Sequence, residues 1–320
     1  MSHSSSLIDA SPLAMSDEVS CLVDLLDRCH RQLLDLDLGS LDEFVVALRD
    51  LRLGLSRDEW HRFRTEIVDG HPLQALLHEE PFTRRAFEKP CGYPGDAPLL
   101  DLIYGESRAS DMSQLGERLH RWAAPHTGFL SVRERRDILA AALDLAATER
   151  SQPRVLALAC GHLREAQRSV AFQDDAIGEI VAVDQDSRSL AVVSRELRSA
   201  HVTPLCVSMR EFLFNPLAYG TFDLVYAAGL YDYLDDRVAR KLTASMFAAL
   251  RPHGRLLVAN FAPTLREIGY MEAVMDWNLI YRNASDVSGF AAGIPTDAIQ
   301  RQTITADTFG NIIYLSIRKW

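Results

Sequence analysis

The feature that most constrains the fold is a pair of short apolar runs separated by about the length of one helix. The runs extend from Val155 to Ala159 and from Glu179 to Val183. Such a pair is the signature of a strand, a crossover helix and a second, parallel strand. The sequence therefore predicts a parallel sheet in this part of the chain.

The ends of these two strands carry residues that suit a nucleotide-type ligand. Gly161 follows the first run and allows the backbone to approach a ligand closely. Asp184 ends the second strand, where a carboxylate can accept both ribose hydroxyls of an adenosine group. Taken singly, Gly161 reads as an ordinary turn residue and Asp184 as a helix N-cap. Their spacing favours ligand binding.

Composition limits the classes of partner. The chain has 320 residues, 48% of them apolar, which is enough for one large core and a smaller appended domain. Its formal charge is -10, and no block of Lys and Arg is present to neutralise phosphates. We therefore expect a small-molecule substrate and no nucleic-acid partner.

Cysteine and histidine usage argues against disulfides and metals. The five cysteines are scattered without a CxxC pair, and the ten histidines lack a metal-ligand spacing. No apolar run approaches the length of a membrane span, and the N-terminus lacks the basic and apolar regions of a signal peptide. These features predict a cytoplasmic protein with no metal.

The first part of the chain has helical periodicity. Asp17 to Leu38 and Leu41 to Leu53 each repeat apolar residues at three- and four-residue intervals, and Ser56 to Glu59 forms a capping-box pattern. We expect a flexible leader over residues 1–16 and a helical domain with a lid loop over residues 17–129. The helices could form a homodimer interface or cover the site, and both alternatives stay open.

A restricted loop and a second domain follow. The loop, Glu88 to Asp96, holds two prolines and two glycines, and helices are expected from Leu99 to Tyr104 and from Leu130 to Ala147. Ser151 to Pro153 marks a boundary before the first strand. The predicted catalytic domain covers residues 130–320 and contains an insertion at 262–300.

The remaining pattern alternates strands with helices, which indicates an α/β fold. Further strands are expected at Thr203–Val207, Phe222–Ala227 and Arg255–Phe261, and the chain closes with an antiparallel hairpin around Gly310-Asn311. A dinucleotide dehydrogenase would show GxGxxG after its first strand, whereas Ala159 to Leu163 contain a single glycine. The dehydrogenase interpretation is therefore disfavoured.

Several segments together resemble class I S-adenosylmethionine-dependent methyltransferases. They are LACGHLREA, Asp184, FDLVYAAGLYDYL, LRPHGRLLVANF and the final hairpin, within roughly residues 130–320. KPCGYPGD, AAGLYDYLDD and MEAVMDWNLIYR are similar to a bacterial subgroup associated with small acids, including makers of hydroxy-fatty-acid methyl esters. The resemblance implies a Rossmann-like class I methyltransferase sheet with a C-terminal antiparallel hairpin, plus an N-terminal helical domain.

The resemblance also implies a cofactor site for S-adenosylmethionine. The backbone of the glycine turn would face the methionine part of the cofactor, and Asp184 would bind the ribose. Ser208 and Met209 would border the adenine, and Ala228 and Gly229 would lie beneath the cofactor. Glu165 and Tyr93 are candidates for the ammonium and carboxylate groups. The full set of expected cofactor residues is Tyr93, Ala159, Cys160, Gly161, Glu165, Asp184, Gln185, Ser208, Met209, Ala228 and Gly229. The family's usual acidic residue and two of its glycines are Ala157, Ala159 and Leu163 here.

A substrate site is expected beside the cofactor. Helical periodicity from Tyr270 to Arg282 would place Trp277 and Tyr281 one turn apart, and Arg282 could bind a substrate carboxylate with two parallel hydrogen bonds. The alternatives are an ion pair from Arg282 to Asp276 or Asp286, and core packing for Trp277. The predicted substrate residues are Tyr231, Asn260, Trp277, Tyr281 and Arg282, and the predicted catalytic residues are Tyr231, Asp232 and Tyr233.

The leading functional hypothesis is methyl transfer to a small carboxylate-bearing acid or amino acid. A thioether such as methionine sulfur carries no proton and a carboxylate is already ionised, so neither acceptor needs a strong base. An alcohol or amine would need one, and Asp232 or His162 could serve. Carboxyl methylation of a hydroxy or fatty acid is the alternative acceptor chemistry. A non-catalytic cofactor-binding protein is the alternative of another class.

Overall fold

The computed structural model describes residues 17–107, 112–197 and 201–320. The chain divides into two compact units. The first comprises the described parts of residues 1–88, 110–123 and 266–277, and the second those of residues 89–109, 124–265 and 278–320. The predicted border at residue 130 differs from this division, because the loop after Glu88 belongs to the second unit and the segment from Arg266 to Trp277 to the first.

The first unit is helical. Its helices are α1 (Asp17–Leu34), α2 (Leu41–Gly54), α3 (Arg57–Phe63), α4 (Pro72–Leu77), α5 (Pro81–Glu88), α7 (Gln114–Ala123) and α14 (Ile268–Ala273). The predicted extension of α1 to Leu38 was wrong, because Leu36 has a φ of 61° and so leaves the right-handed helix. The capping box predicted at the start of α3 is confirmed between Ser56 and Glu59.

The segment from Arg266 to Trp277 is tied into this unit by buried polar contacts. Glu272 accepts hydrogen bonds from Arg52 Nε at 2.6 Å and from Trp60 Nε1 at 2.7 Å. A Cβ added at Gly269 would lie 2.4 Å from the backbone carbonyl of Leu48 on α2. Only a residue without a side chain permits this approach, so α14 and α2 pack backbone to backbone.

The second unit contains a seven-stranded mixed sheet in the order β3-β2-β1-β4-β5-β7-β6. The strands are β1 (Arg154–Leu158), β2 (Glu179–Asp184), β3 (Val202–Cys206), β4 (Phe222–Ala227), β5 (Leu250–Phe261), β6 (Ile299–Ala306) and β7 (Ile312–Lys319). The first five are parallel, and β7 runs antiparallel to both β5 and β6. The α/β class and the closing antiparallel hairpin are confirmed.

Helices flank this sheet and place the site. They are α6 (Ala97–Tyr104), α8 (Thr127–Glu149), α9 (Arg164–Arg168), α10 (Val170–Gln173), α11 (Ser187–Glu196), α12 (Met209–Phe214), α13 (Asp236–Ala248) and α15 (Ala284–Ser288). Asp96 caps α6 by accepting from Leu99 N, and Gly105 ends it at a φ of 79°. Among the described residues, no helix is long and apolar enough to cross a membrane.

Candidate active site

The turn after β1 has an alternating left-handed backbone. Ala159, Gly161 and Leu163 have φ values of 53°, 54° and 53°. A left-handed conformation costs a non-glycine residue roughly 1–2 kcal/mol, so Ala159 and Leu163 hold a shape that glycine would adopt without strain. Burial of the Leu163 side chain holds its residue in place. The backbone shape of a glycine-rich turn is therefore retained without two of its glycines.

Asp184 joins the ends of β1 and β2. Its Oδ2 accepts from Gly161 N at 2.8 Å and its Oδ1 accepts from Asp186 N at 2.9 Å. A carboxylate has about four lone-pair sites, so each oxygen can still accept one further hydrogen bond. Gln185 is exposed beside it. The side chain can thus hold the turn and two ligand hydroxyls at once.

The loop that precedes α6 lies at the same edge of the sheet. Burial and the charges of Asp184 and Asp186 raise the pKa of Tyr93, which places this tyrosine beside the predicted ribose carboxylate. The Tyr233 hydroxyl donates to the Pro94 carbonyl oxygen at 3.1 Å. Tyr93 therefore lies near the expected ribose end, whereas the sequence assigned it to the carboxylate of the cofactor.

A buried ionic network connects the turn to α6. Asp101 on α6 lies 2.8 Å from His162 Nδ1 and accepts two hydrogen bonds from Arg164, at 2.7 and 2.6 Å. Although burial acts in the opposite direction, these bonds lower the pKa of Asp101. His162 and Arg164 therefore have structural partners, and a base role for His162 gains no support.

Glu165 is buried beneath the turn. Its Oε1 accepts from the Tyr226 hydroxyl at 2.6 Å, and burial raises its pKa above the usual range despite this bond and the nearby Arg135 and Arg136. Burial also raises the pKa of the Cys160 thiol. The proposed pairing of Glu165 with the cofactor's ammonium stays a prediction.

The other expected cofactor residues lie after their predicted strands. Ala228 and Gly229 follow β4, directly beside β1 in the sheet. Ser208 caps α12 through a reciprocal capping box with Glu211, which leaves Ser208 and Met209 half-buried after β3. Because β1 to β4 are parallel, these segments share the carboxyl edge of the sheet with Gly161 and Asp184.

Two of the predicted catalytic residues make buried contacts. Tyr231 is fully buried and its hydroxyl lies 2.9 Å from the Thr243 hydroxyl, within the core on the α13 side of the sheet. Asp232 Oδ1 accepts from Phe261 N at 2.6 Å, and burial raises the pKa of Asp232 to about 6. Both side chains therefore have structural partners, and their catalytic roles stay predictions. Tyr233 is partly exposed and stays a candidate.

The predicted substrate helix is also corrected. The helix ends at Ala273, and Asp276 has a φ of 45° that breaks the periodicity, so Trp277 and Tyr281 are not one helical turn apart. Trp277 is buried in the first unit, as its core-packing alternative expected, and Tyr281 is half-buried in the second.

Arg282 has no donor left for a substrate. Its five N–H groups donate to the carbonyl oxygens of Tyr231 and Leu234, to Asn260 Oδ1 and, twice, to Asp236 Oδ1. The Asn260 amide donates in turn to the carbonyl oxygens of Phe261 and Ile280. The ion pair forms with Asp236, not with Asp276 or Asp286. The predicted carboxylate anchor Arg282 and the predicted substrate residue Asn260 are thus engaged with protein groups.

Sequence reasoning missed a buried group at the opposite side of this edge. Arg135 on α8 donates through Nη1 to the Ala228 carbonyl oxygen at 2.9 Å. Tyr104 on α6 and Tyr314 on β7 interact with the same guanidinium. No sequence motif contains these three residues, and only their position on separate elements brings them together.

No group of three His, Cys, Asp or Glu side chains within the described ranges could hold a metal ion.

Residues 155–254 match the family model of a methyltransferase domain. A direct comparison with curated proteins found no match. A solved structure described as a possible exported protein from Bordetella parapertussis is 17% identical, with a TM-score of 0.55, and the alignment covers 96% of this chain and 99% of that one. This likeness concerns the fold and extends over both units.

Two solved methyltransferases have lower TM-scores. The N-methyltransferase NodS from Bradyrhizobium japonicum, in complex with S-adenosyl-L-homocysteine, is 14% identical, with a TM-score of 0.42 over 58% of this chain and 87% of that one. Magnesium protoporphyrin IX methyltransferase from Synechocystis, with the same bound ligand, is 13% identical, with a TM-score of 0.46 over 69% and 92%.

The site fits the cofactor that such a domain uses. The left-handed turn exposes backbone at the end of β1, and Asp184 keeps free acceptor sites at the end of β2. These features suit an adenosine ligand with an extended tail. The match over residues 155–254 therefore shows that the parallel part of the sheet is similar to a methyltransferase domain, and the geometry of the turn and of Asp184 is compatible with S-adenosylmethionine as its ligand.

Proposed function

We propose that this enzyme methylates a small carboxylate-bearing metabolite. The observation that carries the proposal is the hydrogen bond from Gly161 N to Asp184 Oδ2, which fixes the turn and the ribose carboxylate in one unit. When bound there, S-adenosylmethionine supplies a methyl group on a sulfonium. The chain's task is then to align an acceptor atom with that methyl carbon, which can contribute several kcal/mol.

The acceptor is one that needs no strong base. Asp232, the carboxyl group predicted to act as a base, accepts a backbone hydrogen bond within the core, and His162 is paired with Asp101. A thioether sulfur or an ionised carboxylate is nucleophilic without losing a proton. An amino-acid-like acceptor such as methionine and a hydroxy or fatty acid carboxylate both meet this condition.

The charge balance supports a small acceptor over a nucleic acid. The chain has 34 Lys and Arg residues against 44 Asp and Glu residues. Many of the arginines near the sheet are already engaged, for example Arg164 with Asp101 and Arg154 with Glu179. A surface of this kind has little cationic charge with which to bind a phosphate backbone.

The test uses methyl-labelled S-adenosylmethionine and a pool of amino acids and hydroxy acids, with products identified by mass spectrometry. A labelled sulfonium amino acid or a labelled ester is expected, and the two products distinguish sulfur from carboxyl oxygen. The Asp184→Asn variant is the matched control, because it should bind the cofactor poorly and give little product.

The opposite outcome also has a definite meaning. Tight binding of S-adenosylhomocysteine without labelled product from any acid would reject this function in favour of a non-catalytic binding protein. Product from RNA alone would reject it in favour of nucleic-acid methylation. A cytoplasmic location and a homodimer through the N-terminal helices stay predictions from the sequence.

A further inference from the structure

Arg135 is a buried cation that lacks a carboxylate partner. It is only 6% exposed, its guanidinium donates to the Ala228 carbonyl oxygen, and it interacts electrostatically with Tyr104. Within residues 17–107, 112–197 and 201–320, no Asp or Glu oxygen lies within 4.0 Å of its guanidinium. A guanidinium has five N–H donors, and burial of a charge is costly unless the charge is paired. The group therefore retains capacity for an anionic oxygen.

A second polar group nearby is also unsatisfied. Tyr314 on β7 is 2% exposed, and its hydroxyl has no hydrogen-bond partner in the described part of the chain. Burial raises the pKa of Tyr314, and the charge of Arg135 opposes this rise. A buried hydroxyl without a partner is unfavourable. One acceptor oxygen between the phenol and the guanidinium would satisfy both donors.

The position of this pair relates it to the methyl-transfer site. Arg135 Nη2 lies 4.0 Å from the place where a Cβ on Gly229 would be. Ala228 and Gly229 follow β4, at the sheet edge that also carries Gly161. The guanidinium thus lies against the segment expected beneath the cofactor, where the ligand's charged tail or an acceptor would be found.

The neighbouring carboxyl groups are engaged elsewhere. Asp232 and Glu165 interact with Arg135 electrostatically, but neither lies within 4.0 Å of its guanidinium in the described part of the chain. Asp232 Oδ1 accepts from Phe261 N, and Glu165 Oε1 accepts from the Tyr226 hydroxyl. Arg136, whose guanidinium lies 4.6 Å from the Tyr104 ring centre, is paired with Glu106 at 3.2 Å. Direct contact of the Arg135 guanidinium with an anionic oxygen is therefore left to a ligand.

We propose that Arg135, together with the hydroxyls of Tyr104 and Tyr314, binds a carboxylate at the methyl-transfer site. The proposal rests on the proposed function and takes over the role that the sequence gave to Arg282. Two sources carry this group, the methionine tail of the cofactor and the acid acceptor. Arg suits either, because its planar fork can donate two parallel hydrogen bonds.

The first arm of the test separates the sources by ligand structure. S-adenosylhomocysteine carries the amino-acid tail, and 5′-methylthioadenosine lacks it. If the tail is the source, Arg135→Gln should decrease the affinity for S-adenosylhomocysteine about tenfold or more by calorimetry. The affinity for 5′-methylthioadenosine should change less than about twofold. In the second arm, protein saturated with S-adenosylhomocysteine is titrated with L-methionine and 3-hydroxybutyrate. If Arg135→Gln binds either acid about tenfold more weakly while its affinity for both nucleosides is unchanged, the acceptor is the source of the carboxylate.

Two further variants protect the test from a failure to fold. Tyr314→Phe removes only the unsatisfied hydroxyl, so the melting temperature should stay constant or rise while the affinity for the carboxylate ligand decreases. A merely structural role would give no such combination. Arg133→Gln is the matched control on the same helix, since Arg133 donates to the Ile103 and Ala124 carbonyl oxygens and should leave every affinity unchanged.

Equal affinities of wild type, Arg135→Gln and Tyr314→Phe for both nucleosides and both acids would overturn the proposal. Failure of the proposed function looks different. In that case wild-type protein binds S-adenosylhomocysteine and methylates no acid, while the comparison of the two nucleosides still decides whether Arg135 binds the cofactor's carboxylate.

Discussion

Replacing Asp184 by Asn should cost cofactor affinity as well as stability. Both carboxylate oxygens already accept a backbone N–H, from Gly161 and from Asp186, and only the charged group has acceptor sites left for ribose hydroxyls. Asn has one oxygen, so its amide NH2 would face one of those backbone donors. A hydrogen bond to a charged group contributes about 1.5–3 kcal/mol. Loss of one such bond predicts a decrease in affinity of about 10- to 140-fold, and loss of a second would decrease it further.

The assay is calorimetric titration with S-adenosylhomocysteine, accompanied by a melting curve. Asp223→Asn is the control, because Asp223 is equally buried and accepts from Arg154 N and Arg251, but lies at the opposite end of the parallel strands. It should lose stability and keep its affinity. A folded Asp184→Asn variant that binds within about threefold of wild type would refute the ribose assignment.

Three other substitutions test structural assignments. Burial raises the pKa of Asp232 from 3.8 to about 6, so its stabilising contribution is full below pH 3.8 and is lost as the pH rises through 6. In urea titrations, the stability advantage of Asp232→Asn over wild type should therefore grow by about 2–3 kcal/mol between pH 4 and 7, and a constant difference would contradict the burial of this carboxyl group. Arg282→Gln should lower the unfolding free energy by about 3–5 kcal/mol in urea and leave the Michaelis constant of the residual folded enzyme unchanged; a raised Michaelis constant with normal stability would restore the anchor role. Gly269→Ala should destabilise the protein by about 1–3 kcal/mol or more, whereas Gly289→Ala, where no atom lies within 4 Å of the added carbon, should be nearly neutral in the same melting assay; equal effects would contradict the close packing of α14 on α2.

Sequence patterns predicted the sheet well because its signals are local. Each parallel strand is a short apolar run that ends at a turn residue, and the observed β4 (Phe222–Ala227) has the expected bounds. The carboxyl edges of such strands must meet, so Gly161 and Asp184 could be paired before any coordinates were known. The capping box at Ser56 could likewise be predicted from the sequence.

The substrate side failed because its determinants are long-range. The sequence has a helical period through Trp277, but the helix ends at Ala273, Asp276 is left-handed, and Glu272 bonds to Trp60 of the first unit. The partners of Arg282 come from Tyr231, Asn260 and other residues distant in sequence. Nothing in the local sequence shows that these acceptors converge on one guanidinium.

Arg135 illustrates the converse problem. On α8 it is one of several charged residues in a run of the sequence RERRD, and its neighbours Arg133 and Arg136 look identical by composition. Arg136 is almost equally buried but is paired with Glu106, so the contact of Arg135 with the Ala228 carbonyl oxygen, made without a carboxylate partner, sets it apart. Its selection therefore required the packing of α8 on the sheet.

The segment that carries Glu272 has a consequence for synthesis on the ribosome. Arg52 and Trp60 emerge more than 200 positions before the carboxylate that they both contact. The helical unit therefore cannot complete its buried contacts until the nascent chain has grown past Trp277, when most of the sheet strands have already been made. A truncated chain that ends near residue 129 should lack this buried acceptor and behave as a loosely packed intermediate, so the helices are poor candidates for excision or transplantation as a module.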